Sequence, residues 1–534
     1  MGLGSLARPA LSSTSRSSSS SSCPSPLCIK SSSSSSPRWL LLAAAGASLV
    51  PGAFAAASDF QAIIPQYCHI QRDWGALPER PEGVSELRQV QVFIRHGSRT
   101  QASSDYCWHG DQEGEWTCSL NYLDNSVQES SPLTASYRAQ YMPGRNALKG
   151  NCMTGQLVSS GFEMEYNNGQ RLKDAYMTRE GFLPATLAGL DLDTLPDVLR
   201  FRSTDVPRTK QSGMALLSAM YPSASLGSLP YLPLNTMDIK MENMLVNAEV
   251  CPIVTAATKD YWNSWPRRGE LLEQCKKLDD KKDFSNNVNG CFLFLQHLID
   301  CLMSRMCPTV PFSQHNTTVP EHFSAEDWTP FQEFWELVDQ AQWDWFKAMA
   351  EAGATASFAE DLYSQAKLAA AGNSSTPKFL LWSGHDTGPM EPMYATFDLR
   401  AEAPYWPTFA SMLVLELWAT TDGDTVARWI SNGKVQQGPM PWSTFAEKAE
   451  SIIARKSNCG DSSRPSDGRS IGSEIGTPPE SREDTGVSPL LLAVVAVAGA
   501  IVGAALAGVA ICMRQRATKR KGDSTNLSDD SDFC

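Results

Sequence analysis

The chain runs to 534 residues with 42% apolar content, longer than one ordinary domain and apolar enough for a large core. Its net charge of −13 excludes nucleic-acid binding through overall basicity, because affinity for polyanions rests on basic patches. An anionic ligand must then be drawn in by a local cluster of arginines, not by the field of the whole protein.

Met1 to Ala57 carries no acidic residue and is crowded with serine from Ser12 to Ser36. Arg8, Arg16, Lys30 and Arg38 precede the apolar segment Trp39 to Ala57. These are the marks of a secretory signal with a long leader, cleaved near Ala55 to Ala57. The composition leaves a transit peptide and an uncleaved signal anchor open as alternatives.

The first strong element is Val90–Thr100, VQVFIRHGSRT. β-formers from Val90 to Ile94 break into Arg95-His96-Gly97-Ser98-Arg99, so a strand delivers two arginines and a histidine at its carboxyl end. In open parallel sheets ligands bind there. Gly97 would let the backbone come close to a ligand, and Arg95 and Arg99 offer forked donors that match phosphate oxygens. A helix is predicted over Gly161–Thr178. A second short strand, Val198–Phe201, is followed by Arg202 and by a helix over Val206–Met220 with Ser203, Thr204 or Asp205 as its N-cap. Arg208, at the start of that helix, reads as a structural salt-bridge partner.

From 221 to 376 the chain is rich in cysteine and tryptophan. Its clearest element, Phe331-Phe334-Trp335-Val338-Ala341-Trp345, follows a helical rhythm whose aromatic stripe reads as core. We expect a mostly helical cap there, inserted into an α/β core formed by 58–220 and 377–456. The core resumes with a third strand, Phe379–Trp382, ending in Gly384-His385-Asp386. A fourth, Ser411–Trp418, precedes a hairpin turn at Asn432-Gly433. Three strands ending in Arg or His fit one converging anion site.

Segment 457–488 turns to Ser, Gly, Pro and charge and reads as a stalk. Leu490 to Met513 is free of charge and long enough for about one bilayer crossing, so a transmembrane helix is expected over 489–513. Arg514, Arg516, Lys519, Arg520 and Lys521 follow at once, which places the tail, 514–534, in the cytosol and the large domain outside or in a lumen. This is a single-pass type I arrangement. Gly499 and Gly503 have the Gly-x-x-x-Gly spacing of close helix packing, which would support a homodimer.

Between leader and span lies an even set of cysteines: Cys68, Cys107, Cys118, Cys152, Cys251, Cys275, Cys291, Cys301, Cys307 and Cys459. Beside a signal peptide they favour disulfides over metal binding. Cys107–Cys118 would be a local clasp, although spacing cannot fix the pairing. Asn316 and Asn373 begin glycosylation sequons on the same side of the membrane. His69, His109, His297, His315 and His322 belong to no motif and read as incidental.

RHGSRT at 95–100, RSTDVPRT at 202–209 and GHDTG at 384–388, in that order, resemble the histidine acid phosphatases, a branch of the phosphoglycerate-mutase-like superfamily. Residues 155–177 and 415–434 are similar to the helix after that family's first motif and to its closing hairpin. The resemblance implies a phosphoglycerate-mutase-like α/β core with an inserted helical cap, acting on phosphomonoesters without a metal or other cofactor. It implies His96 as nucleophile, Asp386 as proton donor, and Arg95, Arg99, Arg202 and His385 as phosphate ligands. The family's first motif usually has proline where this chain has Gln101, a departure that loosens the loop and removes no chemical group. A catalytically silent ectodomain that binds a phosphorylated or anionic ligand is the alternative.

Overall fold

The computed structural model describes residues 74–102, 145–278, 287–307, 329–399 and 406–460, with residue 68 and short pieces at 115–118, 123–124, 137–138, 142 and 284–285. The leader to residue 57, the segment 461–534 with the expected span and tail, and Cys107, Asn316, His69, His109, His315 and His322 lie outside these residues. Among the described residues no helix is long and apolar enough to cross a membrane.

The core is a 7-stranded sheet. Its strands are β1 (Val84–Arg95), β2 (Leu199–Ser203), β3 (Leu234–Asn235), β4 (Phe379–Gly384), β5 (Met412–Thr420), β6 (Thr425–Ser431) and β7 (Lys434–Pro441). They lie in the order β3-β2-β4-β1-β5-β6-β7. Strands β3, β2, β4 and β1 run parallel, while β5 to β7 continue the sheet antiparallel. Asn432 (φ 46°) and Gly433 (φ 76°) both adopt positive φ between β6 and β7, as a two-residue turn with the twist of a hairpin requires.

Side chains alternate across β1 with the strand period of two. Val90, Val92 and Ile94 enter one core with Leu172, Tyr176 and Leu216, from helices α1 (Ser159–Lys173) and α2 (Pro207–Met220) and the π-helical turn Asp174–Arg179. Phe93 enters the opposite core with Leu380, Trp382 and Trp429. Gln89 and Gln91 are wholly buried on that second side; their amides donate to the carbonyls of Pro377 and Leu362, each at 2.9 Å. Buried amides are tolerated because they are bonded.

Between β3 and β4 come α3 (Ile253–Ser264), α4 (Arg268–Leu278), α5 (Val288–Met306), α6 (Thr329–Ala352) and α7 (Ala356–Ala370). Phe331, Phe334, Trp335, Val338 and Ala341 of α6 form a separate core with Trp262, Leu295 and Leu302, so the aromatic stripe is structural. The insertion is not cap throughout, however. Phe358, Leu362 and Ala366 of α7 pack on the sheet beside α9 (Trp442–Ile453), because their i, i+4, i+8 stripe matches the apolar face of β1 and β4.

Four disulfide pairings are Cys68–Cys307, Cys118–Cys152, Cys251–Cys459 and Cys275–Cys291. Cys118 therefore closes onto Cys152, not Cys107. The pairing brings two segments together through the bridge between Trp116 and Gly150, which a local clasp would not do. Cys301 is disulfide-bonded as well. The Cys251–Cys459 bond fastens Ser457–Cys459 to the folded domain, so the expected stalk starts later than Ser457. Such bonds persist in extracellular and lumenal compartments. Asn373 is exposed in the turn after α7.

Candidate active site

Parallel pairing of β1 with β4 sets Arg95 opposite Gly384, and the amide of His96 donates to the carbonyl of Gly384 at 2.9 Å. The two strands therefore release His96 and His385 side by side, with ring centroids 5.5 Å apart. Gly97 makes its close approach not to an open ligand space but to α1, where an added Cβ would stand 2.1 Å from the carbonyl oxygen of Gly161. The Gly97 amide also donates to Ser212 Oγ of α2 at 3.1 Å. The loop 95–99 is thus clamped to both helices behind it.

His96 is 1% exposed. Its Nδ1 lies 2.9 Å from the carbonyl oxygen of Gly97, which can only accept, so Nδ1 carries the proton and Nε2 keeps a lone pair. Burial first, then Arg208, Arg99, Arg95 and His385, hold its pKa well below the usual histidine value. His385 is the other tautomer. Arg208 Nη2 lies 3.3 Å from its Nδ1, which must accept, and its Nε2 lies 3.1 Å from Thr204 Oγ1. Burial and Arg208 keep this ring neutral too.

Arg95 is buried with its guanidinium 4.3 Å over the Phe409 ring, and Nη2 pairs with Asp386 Oδ2 at 2.9 Å. Asp386 also accepts from Trp406 Nε1 at 2.7 Å and from the amide of Thr387 at 2.9 Å. Burial pushes its pKa up, but Arg95, the Trp406 bond, Arg99 and His385 outweigh it, so the net shift is downward. In the free protein Asp386 is a carboxylate, contrary to the protonated form that the expected proton donor needs. Arg99 reaches the same place, its Nε 3.5 Å from His96 Nε2.

Arg202 does not join them. It donates to Asp361 Oδ2 at 3.0 Å and to Asn243 Oδ1 at 2.6 Å, pairs with Glu242, and lies over Trp382. Strand periodicity explains this. Leu199, Phe201 and Ser203 are the buried face of β2, and Arg202 is on the other, within the strand and short of its tip. Arg208, read from sequence as structural, takes the place in the cluster instead. It sits in the first turn of α2, where the side chain projects back over the strand ends, and burial lowers its pKa to about 9. Val206, with no side-chain bond, caps α2 in place of Ser203, Thr204 or Asp205, because the Thr204 hydroxyl is engaged by Thr209 and His385. Trp406, Phe409 and, from α5, Asp300 and Ser304 complete the surroundings without any motif in the sequence to mark them.

Three guanidiniums (Arg95, Arg99, Arg208) thus face two carboxylates (Asp386, Asp300) and two neutral imidazoles. The excess positive charge suits an anion, and the lone pair of His96 sits among the donors.

The sequence model of the histidine phosphatase superfamily, branch 2, matches residues 86–432. Counting factor 60 of Dictyostelium discoideum is 29% identical over 406 residues, covering 73% of this chain and 91% of that protein. Lysophosphatidic acid phosphatase type 6 of Bos taurus is 24% identical over 62% of this chain and 74% of its own length. For 2-phosphoxylose phosphatase 1 of Danio rerio the figures are 24%, 63% and 68%. Among solved structures, the apo phytase of Hafnia alvei aligns with 71% of this chain and 99% of its own at 15% identity and a TM-score of 0.43.

Proposed function

The chain belongs to branch 2 of the histidine phosphatase superfamily, and from that premise we propose that it is a membrane-bound acid phosphatase that hydrolyses small phosphomonoesters through a phosphohistidine on His96. The observation that carries the reading is the neutral His96, its Nδ1–H bound to Gly97 and its Nε2 lone pair placed among Arg95, Arg99 and Arg208.

A phosphomonoester dianion repels nucleophiles until its charge is neutralised. Arg95, Arg99, Arg208 and His385 receive the non-bridging oxygens. Arg202 holds Glu242 and Asp361 instead and supports the strand. His96 Nε2 then attacks phosphorus in line, forming the N–P bond as the P–O bond to the alcohol breaks. The carbonyl of Gly97 stabilises the positive charge that develops on the ring. Asp386 supplies the proton for the leaving oxygen. It is ionised in the free site, but a phosphate that draws Arg95 away removes its partner and adds negative charge, both of which raise its pKa. The proton arrives from an acidic medium or with the substrate. In the second step the Asp386 carboxylate takes a proton from water, whose oxygen attacks phosphorus and releases His96.

The apolar run Leu490–Met513 and the basic residues after it support a type I anchor holding this domain on the extracellular or lumenal side, and Gly499 and Gly503 would let two such spans pair. Protease added outside intact cells should remove the domain and spare a tail epitope; protection of the domain would refute the topology at that membrane. The ionised Asp386, paired with Arg95 in the free site, supports a second reading, a silent anion-binding ectodomain. The two are separated by quenching a reaction with p-nitrophenyl phosphate in alkali, where phosphohistidine survives, and mapping the modified peptide. Phosphate on the His96 peptide supports the enzyme, and its absence from a protein that turns over refutes this mechanism.

A further inference from the structure

Arg99 is gripped from the cap. Its Nη2 donates to Asp300 Oδ1 at 2.6 Å and its Nη1 to Asp300 Oδ2 at 3.2 Å, a fork of two parallel bonds on the outer end of the guanidinium. Nη1 also donates to Ser304 Oγ at 3.2 Å and to the carbonyl of Thr100 at 3.0 Å. The remaining edge, which carries Nε, is turned towards His96. One face of α5 makes further contacts with the same loop. Asp300 Oδ2 accepts from the amide of Ala102 at 3.3 Å, and Arg305 donates to Gln101 Oε1 at 3.0 Å and 3.3 Å. Gln101, which loosens the loop on paper, is 1% exposed and bonded to the cap.

We propose that Asp300, assisted by Ser304, is a positioning residue for the phosphate site: it holds the outer end of Arg99 so that the Nε edge is presented beside the nucleophilic nitrogen. The inference rests on the phosphatase reading and extends the site to the cap. A carboxylate here has two opposing effects on an anion. Its charge, near Arg99 and Arg208, repels phosphate, so deletion of the charge alone would tighten binding. Its grip removes the freedom of a long side chain before the ligand arrives, so deletion of the grip weakens binding. The grip dominates because Arg99 is 5% exposed and Asp300 occupies the end of the guanidinium away from His96, leaving the inner edge for phosphate.

The test is calorimetric titration of inorganic phosphate into the full-length protein and its Asp300→Ala, Asp300→Asn and Ser304→Ala variants, with thermal unfolding of each and turnover of p-nitrophenyl phosphate alongside. Asp300→Ala should weaken phosphate binding roughly ten- to hundredfold, the loss of hydrogen bonds to a charged group. Asp300→Asn, which keeps one acceptor oxygen, should fall between it and wild type, and KM should follow Kd. Unchanged or tighter binding in Asp300→Ala overturns the inference. Should that variant not fold, Ser304→Ala decides: weaker phosphate binding supports the clamp, and unchanged binding overturns it. Wild-type protein that binds phosphate but hydrolyses no ester ends the phosphatase reading while the Kd values still judge the clamp. Wild-type protein that binds no phosphate overturns the clamp, and overturns the phosphatase reading as well only where it also hydrolyses no ester.

Discussion

Replacing Asp386 by Asn removes the proposed proton donor while keeping most of the side-chain volume. The carboxylate now accepts from Arg95 Nη2 (2.9 Å), Trp406 Nε1 (2.7 Å) and the Thr387 amide (2.9 Å). Asparagine can satisfy one or two of these donors, and it leaves Arg95 buried without its counter-charge, a loss of about 3–5 kcal/mol in stability. A domain of ordinary stability, about 5–15 kcal/mol, remains largely folded except at the low end of that range. Loss of general acid catalysis should slow an ester of a poorly stabilised alkoxide roughly a hundred- to ten-thousandfold. An ester of a phenol that departs readily as its anion needs little proton and should lose far less. The assay is kcat for both ester types with wild type and variant at one acid pH. Both are read on the same protein sample, so partial unfolding scales them equally and cancels from the ratio. Equal losses for the two leaving groups would refute the assignment of Asp386 as proton donor.

Arg208→Met should lower kcat/KM by more than a hundredfold, about the effect of losing one oxyanion-stabilising donor; Arg202→Met should retain the kcat of its folded fraction and instead lower the unfolding temperature, since Glu242 loses a buried partner. Exchange of these two outcomes in steady-state kinetics and thermal melts would reverse the roles assigned here. Glu391, on α8 (Met390–Phe397), is 3% exposed, and burial, then Asp339 and Asp386, raise its pKa well above the usual value. Its stability contribution is present below the unfolded carboxyl pKa and lost as pH rises towards the folded value, so Glu391→Gln should gain stability over wild type at pH 7 and little at pH 4 in melts across that range. His96 has its folded pKa lowered, so the proposed nucleophile stays neutral as pH falls through the usual histidine range. The acid limb of kcat/KM should therefore lie below about pH 6.5, and a limb centred there would show a His96 that titrates normally.

Much of the sheet was legible because β1, β4 and β5 contain short apolar runs, and β1 and β4 break sharply at Arg95 and Gly384. Convergence of His96, His385 and Asp386 followed from the rule that parallel strands present ligands at their carboxyl ends. The choice between Arg202 and Arg208 was less visible, although the alternation of Leu199, Phe201 and Ser203 already turned Arg202 to a lateral face of the strand. Asp300, Ser304 and Trp406 are distant in sequence, brought to the site by tertiary packing, and no local pattern signals them. The same holds for Cys118–Cys152, since a disulfide follows the spatial approach of two backbones, whereas Cys107–Cys118 was suggested by proximity along the chain. The reach of the cap was overestimated because the helix Ala356–Ala370 continues the composition of the insertion while its buried stripe belongs to the sheet.

The central claim is that His96 is a nucleophile in a metal-independent acid phosphatase. Its most direct test is release of phosphate from p-nitrophenyl phosphate by the full-length protein, scanned across pH without added metal, beside His96→Ala checked for folding by its melt. The account predicts turnover at acid pH that disappears in the variant. Undiminished turnover in His96→Ala, or none from folded wild-type protein, would contradict it, and the second result would leave a site that binds its anion without hydrolysing it.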